Sequence, residues 1–157
     1  MKTTMMIVMG MFAATVAKAD GFTCVGQNTG LNIKMYNHVH AAAGTRNAAI
    51  MIISDPSLDS GSTTIATFSD TKNTASNNGA TYVAKVDLRV NGSSNKNANI
   101  AGTQLGLLAS ITAEVDFNYS QNTPSSNGDS FSGKASYAKR DGEVLEEKLE
   151  CTRYKKI

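Results

Sequence analysis

The chain has 157 residues with 15 Lys and Arg against 13 Asp and Glu, and residues 1–19 have the layout of a secretory signal peptide. Lys2 supplies the positive region, residues 5–16 an apolar stretch and Ala17-Lys18-Ala19 a cleavage site. Cleavage removes Lys2 and Lys18 and leaves residues 20–157 as one charge-balanced domain, which argues against nucleic acid, because phosphates call for a clustered cationic surface.

The apolar stretch is shorter than the roughly eighteen residues that a membrane helix needs, and no second stretch approaches that length, so the mature chain is not expected to span a bilayer. Asn, Ser and Thr make up 42 of its 138 residues and fall in clusters between short runs rich in Val, Ile, Thr, Tyr and Phe. This spacing predicts an all-β domain. A first strand alternates Phe22 and Cys24 with Thr23 and Val25; after Gly26 and Gly30 a second alternates Leu31, Ile33 and Met35 with Asn32, Lys34 and Tyr36. The run 48–54 (AAIMIIS) is apolar on both faces and reads as a strand covered on both sides or one near the middle of a sandwich. Residues 63–69 offer a fourth strand and 70–79 a flexible loop.

The clearest alternation sets Tyr82, Ala84, Val86, Leu88 and Val90 on one face, and a polar loop then runs to Asn99. A longer run places Leu107, Ala109, Ile111, Ala113, Val115, Phe117 and Tyr119 together, against Ser110, Thr112, Glu114 and Asp116. The last third reads as a hairpin. A three-residue loop, Arg140-Asp141-Gly142 with Gly142 in the left-handed region, pairs Tyr137 with Leu145 and Phe131 with Cys151. The rival is a helix over 143–150, where Leu145 and Leu149 stand four apart among good helix formers.

Two cysteines in an exported chain predict one disulfide, Cys24 to Cys151, closing a loop of about 128 residues worth roughly 5 kcal/mol by chain entropy. Free thiols for redox or metal work are the alternative. A bridge needs the two Cα atoms about 5.5 Å apart, so the first and last strands must be neighbours. The fold class expected is therefore a single antiparallel domain of about eight strands, either a small barrel or a β-sandwich with adjacent terminal strands. The segments Phe22-Thr23-Cys24, Gly44-Thr45-Arg46, Ile65-Ala66-Thr67-Phe68 and Cys151-Thr152-Arg153-Tyr154 together resemble small secreted two-cysteine all-β proteins of predatory Gram-negative bacteria. The resemblance implies an envelope or extracellular location and carries over no catalytic residue.

Candidate sites are sparse. His38 and His40 stand at i, i+2, so both imidazoles leave an extended strand on the same side and could ligate a metal, with Met35 or a carboxylate beside them; two solvated loop histidines are the plainer reading. Glu114 and Asp116 share a face roughly 7 Å apart and could form an acid–base pair if one were desolvated, but they alternate with the apolar face and should point at water. Arg46 could anchor its own loop or meet an anionic partner. Small residues Ala84, Ala109, Ala113, Gly133 and Ala135 on one face raise the idea of a hollow interior holding an apolar ligand. No nucleophile elbow or phosphate loop is present. The reading that follows is an exported, non-enzymatic β domain without a cofactor, binding a protein or envelope component through its polar loops. A lipocalin-like carrier is the first alternative and a hydrolase the second, and nothing in the sequence sets the oligomeric state.

Overall fold

A computed structural model describes residues 19–39, 47–58, 63–77, 81–88, 98–118, 122 and 125–156. The alternating segments become the strands of a closed antiparallel barrel. They are β1 (Ala19–Gly26), β2 (Asn32–Val39), β3 (Asn47–Asp55), β4 (Thr63–Asn77) and β5 (Tyr82–Asp87), then β8 (Leu108–Val115), β9 (Ser130–Lys139) and β10 (Val144–Lys156). Between β5 and β8 the chain makes a short hairpin, β6 (Asn99–Ile100) and β7 (Thr103–Gln104), and a 3₁₀ turn, Leu105–Leu107. The strands run up and down in chain order, and β1 closes the circle between β2 and β10. Among the described residues no helix is long and apolar enough to cross a membrane.

Register aligns the inward side chains in rows. One row crosses Phe131, Cys151, Cys24, Ile33, Ile53 and Ala66; the next crosses Arg153, Phe22, Met35, Met51 and Phe68. Cys24 lies directly opposite Cys151 and the two are bridged, with Cα atoms 3.9 Å apart. The spacing is that of a closely approaching cross-strand pair, shorter than the commonest disulfide separation. The neighbouring termini expected from the cysteines are thus present, and the architecture is the barrel rather than the sandwich. The final hairpin has the three-residue loop, with Leu145 opposite Tyr137, Cys151 opposite Phe131 and Gly142 at φ +100°; the helix over 143–150 is absent.

Among the described residues, buried side chains pack against one another across the interior. Phe22 packs against Tyr82, Phe117 and Phe131 with ring centroids 5.2–5.9 Å apart, and the Arg153 guanidinium stacks 4.1 Å from the Phe117 ring centre. Ala84, Ala113 and Ala135 form one inward row, and these small residues let larger chains reach across the axis. Gly133 serves closeness of another kind: a Cβ there would stand 2.5 Å from the Glu114 carbonyl oxygen.

Three features depart from the sequence reading. β4 continues to Asn77, so most of the loop expected over 70–79 is strand: Thr74–Asn77 pair with β5. Ser69 pairs with Ile50 and Thr74 with Ala48, so β4 bulges as it passes from β3 to β5, and the ladder pairing of Thr74–Asn77 with β5 outweighs the low strand preference of Asn and Ser. A second irregularity between Leu108 and Ser110 shifts the phase of β8, burying Leu108 and turning Ala109 and Leu107 away from the core face expected for them. Beyond it Ile111, Ala113, Val115 and Phe117 point inward as expected, while Tyr119 and Val90 lie outside the described residues. Third, β3 is not covered on both faces by further layers of described structure. Met51 and Ile53 are buried, while Ile50 and Ile52 are half-buried on the outer surface between β2 and β4.

Candidate functional site

Period-two alternation along β10 sends Leu145, Glu147, Leu149, Cys151 and Arg153 inward, so two charged groups enter the barrel. They lie about 20 Å apart on one strand, given a rise of about 3.3 Å per residue, in different surroundings: the Arg153 guanidinium lies over the Phe22 and Phe117 rings, 5.1 and 4.1 Å from their centres. Glu147 is only 6% exposed, and a carboxylate so placed is tolerated only when hydrogen-bonded. Its Oε2 accepts the backbone N–H groups of Asn28 and Thr29 at 3.2 and 3.1 Å; its Oε1 accepts the Tyr137 hydroxyl at 2.6 Å and the Thr29 hydroxyl at 2.9 Å. Gly26 makes the room, since a Cβ there would fall 2.5 Å from this carboxylate. Burial pushes the Tyr137 hydroxyl well above the ordinary phenol pKa, and the hydrogen bond and charge of Glu147 push it further.

The result is a clasp. The β1–β2 turn, 27–30, is bound across the end of β10, and the Gln27 backbone N–H donates to the Lys148 carbonyl while its side chain donates to Glu150. Outside the clasp lies a groove of about 520 Å³ between that turn and the outer face of β9 and β10, lined by Gln27, Asn28, Lys134, Glu146, Glu147 and Lys148. Lys134 and Lys148 stand opposite each other in register, and Lys134 is also 3.4 Å from Glu114. Both carboxylate oxygens of Glu147 are engaged by the protein, so this group holds a loop rather than meeting a substrate. The outward groups that line it are amides, ammonium groups and a carboxylate.

The disulfide residues are the sequence-predicted pair that the fold brings together. Glu114 and Asp116 both face outward; Glu114 is tied to Lys134 and Asp116 is exposed, so neither has the desolvated setting that acid–base work demands. His38 lies on β2 opposite Ala19 and Ala48, with its side chain outside the described residues; His40 and Arg46 lie outside them altogether. Among the described residues no group of three or more His, Cys, Asp or Glu side chains is placed to hold a metal ion. Glu147 and Arg153 carry no local motif, and the signal for them is that both share the alternation that carries Leu145, Leu149 and Cys151 inward. Tyr36 and Tyr154 flank Gly21 on the outer face, their ring centres 6.4 Å apart, with the Lys34 ammonium 4.5 Å from the Tyr154 ring centre. Comparison with family models, with curated proteins and with solved structures finds no match to this chain.

Proposed function

We propose that this chain is an exported, non-enzymatic β domain, periplasmic or secreted, that binds a protein or an envelope component through the polar loops at the ends of its barrel. The packing of the described core side chains against one another is the observation that carries the reading. With Phe22, Tyr82, Phe117, Tyr137, Met35 and Met51 occupying the axis, the outer surface and loops are where a partner can be met. The Glu147 clasp adds to it, because a loop already held in one conformation loses little entropy on binding. Export is supported by the layout of residues 1–19 and by the disulfide, which belongs to an oxidising compartment. β1 begins at Ala19, so cleavage after that residue leaves its pairing from Asp20 onward intact.

Retention of the mature, oxidised protein on isolated envelope fractions tests this, with a Gln27→Ala, Asn28→Ala variant of the β1–β2 turn as the comparison. The reading expects retention that falls at least about tenfold in the variant, a loss of about 1.4 kcal/mol. Native mass spectrometry showing a stoichiometric apolar ligand on the purified protein, or retention of neither form, would overturn it.

A further inference from the structure

A second cleft lies at the same end of the barrel, between the β6–β7 hairpin and the β9–β10 hairpin. It is an open cleft of about 410 Å³, within the range of roughly 300–1,000 Å³ usual for small-molecule sites, and is lined in part by Asn99, Gln104, Leu107, Lys139, Arg140 and Asp141. Its groups are held in place by the backbone around them. The Arg140 Nε–H donates to the Gly106 carbonyl at 3.1 Å, and the Arg140 backbone N–H donates to the Leu107 carbonyl at 2.9 Å. The first of these bonds tethers the guanidinium at the cleft that Arg140 lines. Asp141 Oδ1 accepts the Glu143 N–H at 3.1 Å, and Lys139 pairs with Glu143. Across the cleft Asn99 and Gln104 face each other in register, both exposed. Leu107 is 55% exposed, a large apolar side chain beside these polar ones. The turn that presents the amide pair runs through Ala101 at φ +51° and Gly102 at φ +75°. A non-glycine residue in that region costs about 1–2 kcal/mol, so the hairpin holds a conformation that local preference disfavours.

The charges decide the ligand class. Lys139 and Arg140 are balanced by Asp141 and Glu143, so the cleft offers no net field to a phosphate or carboxylate. What it does offer is a set of planar groups: two amides that both donate and accept, a guanidinium that donates and a carboxylate that accepts. Such groups match vicinal hydroxyls, and Leu107 matches the C–H face of a sugar ring. We propose that this cleft binds a neutral saccharide unit. The inference rests on the reading that the chain binds an envelope component and names the chemistry of that component.

Titration of the ¹⁵N-labelled mature protein with cellobiose, N,N′-diacetylchitobiose and, as the charged comparison, glucuronate tests it by NMR. A neutral disaccharide is expected to shift the side-chain amides of Asn99 and Gln104 and the Arg140 Nε–H, half-saturating below about 10 mM. Gln104→Ala and Arg140→Ala should each raise that value about fivefold or more, with the exposed Gln104→Ala variant keeping the wild-type unfolding midpoint. Silence of all three cleft signals with both neutral sugars, a response to glucuronate alone, or a response unchanged in both variants would overturn the proposal. The envelope-retention assay separates the two ideas. Retention without sugar shifts removes the saccharide cleft and leaves the envelope reading, whereas sugar shifts in a protein that no envelope fraction retains do the reverse.

Discussion

Replacing Glu147 isolates what the clasp contributes. In Glu147→Gln the carbonyl oxygen can keep the two backbone N–H groups of Asn28 and Thr29, while the amide nitrogen turns toward the Tyr137 and Thr29 hydroxyls, which can accept instead of donate. The two backbone bonds then fall from charge-assisted to neutral, about 1 kcal/mol each, and the Tyr137 O–H loses its acceptor, while the cost of burying a charge is relieved in part. The sum is a loss of about 2 kcal/mol for Gln and about 4 kcal/mol for Ala, which leaves the donors without any partner. Urea unfolding of the oxidised protein measures both, with Glu146→Gln on the exposed side of the same strand as the comparison, expected within about 0.5 kcal/mol of wild type. Amide exchange at Asn28 and Thr29 should accelerate in step. Glu147→Ala behaving like Glu146→Gln would refute the claim that a buried carboxylate holds the turn.

Gly26→Ala places a methyl 2.5 Å from the Glu147 carboxylate, so it should cost about 2 kcal/mol in urea unfolding, and a Gly26→Ala, Glu147→Ala double variant should fall short of the additive loss. Cys24→Ala with Cys151→Ala should lower stability by about 2–5 kcal/mol, and since both sulfurs are buried the native protein should resist mild reductant until urea opens the barrel, as thiol labelling would report. Tyr137 holds its proton more tightly folded than unfolded, so its contribution is complete below about pH 10 and declines as pH rises toward the folded value. Unfolding midpoints taken from about pH 8 to about pH 11 should fall in wild type and fall less in Tyr137→Phe.

The barrel was largely legible because period-two patterning and one disulfide act together. Alternation over Tyr82–Leu88 and Ile111–Phe117 assigns faces, and a bridge from Cys24 to Cys151 leaves few ways to arrange the strands between. The final hairpin was decided by matching apolar faces, which demands a three-residue loop. What sequence did not reveal were events that only neighbouring strands determine. The strand character of 74–77 comes from β5 completing its ladder, and the phase change at Ala109 comes from the register that Leu108 and Ser110 keep with β9. The Glu147 clasp needed donors from a turn nearly 120 residues earlier in the chain, so no local motif could announce it. Likewise, the amide pair of β6 and β7 meets Arg140 only once two hairpins are folded against the same barrel rim.

Barrel closure between the first and last strands underlies all of this, and proton–proton contacts across that seam measure it directly. The structure places Cys24 opposite Cys151 and Phe22 opposite Arg153, with Cys24 also opposite Ile33 on the other side. NMR of the mature protein should therefore show a strong contact between the Cys24 and Cys151 α-protons, 3.9 Å apart at their carbons, and cross-strand contacts from β1 to both β2 and β10. Contacts from β1 to β2 alone, with Cys151 remote from Cys24, would contradict the closed barrel.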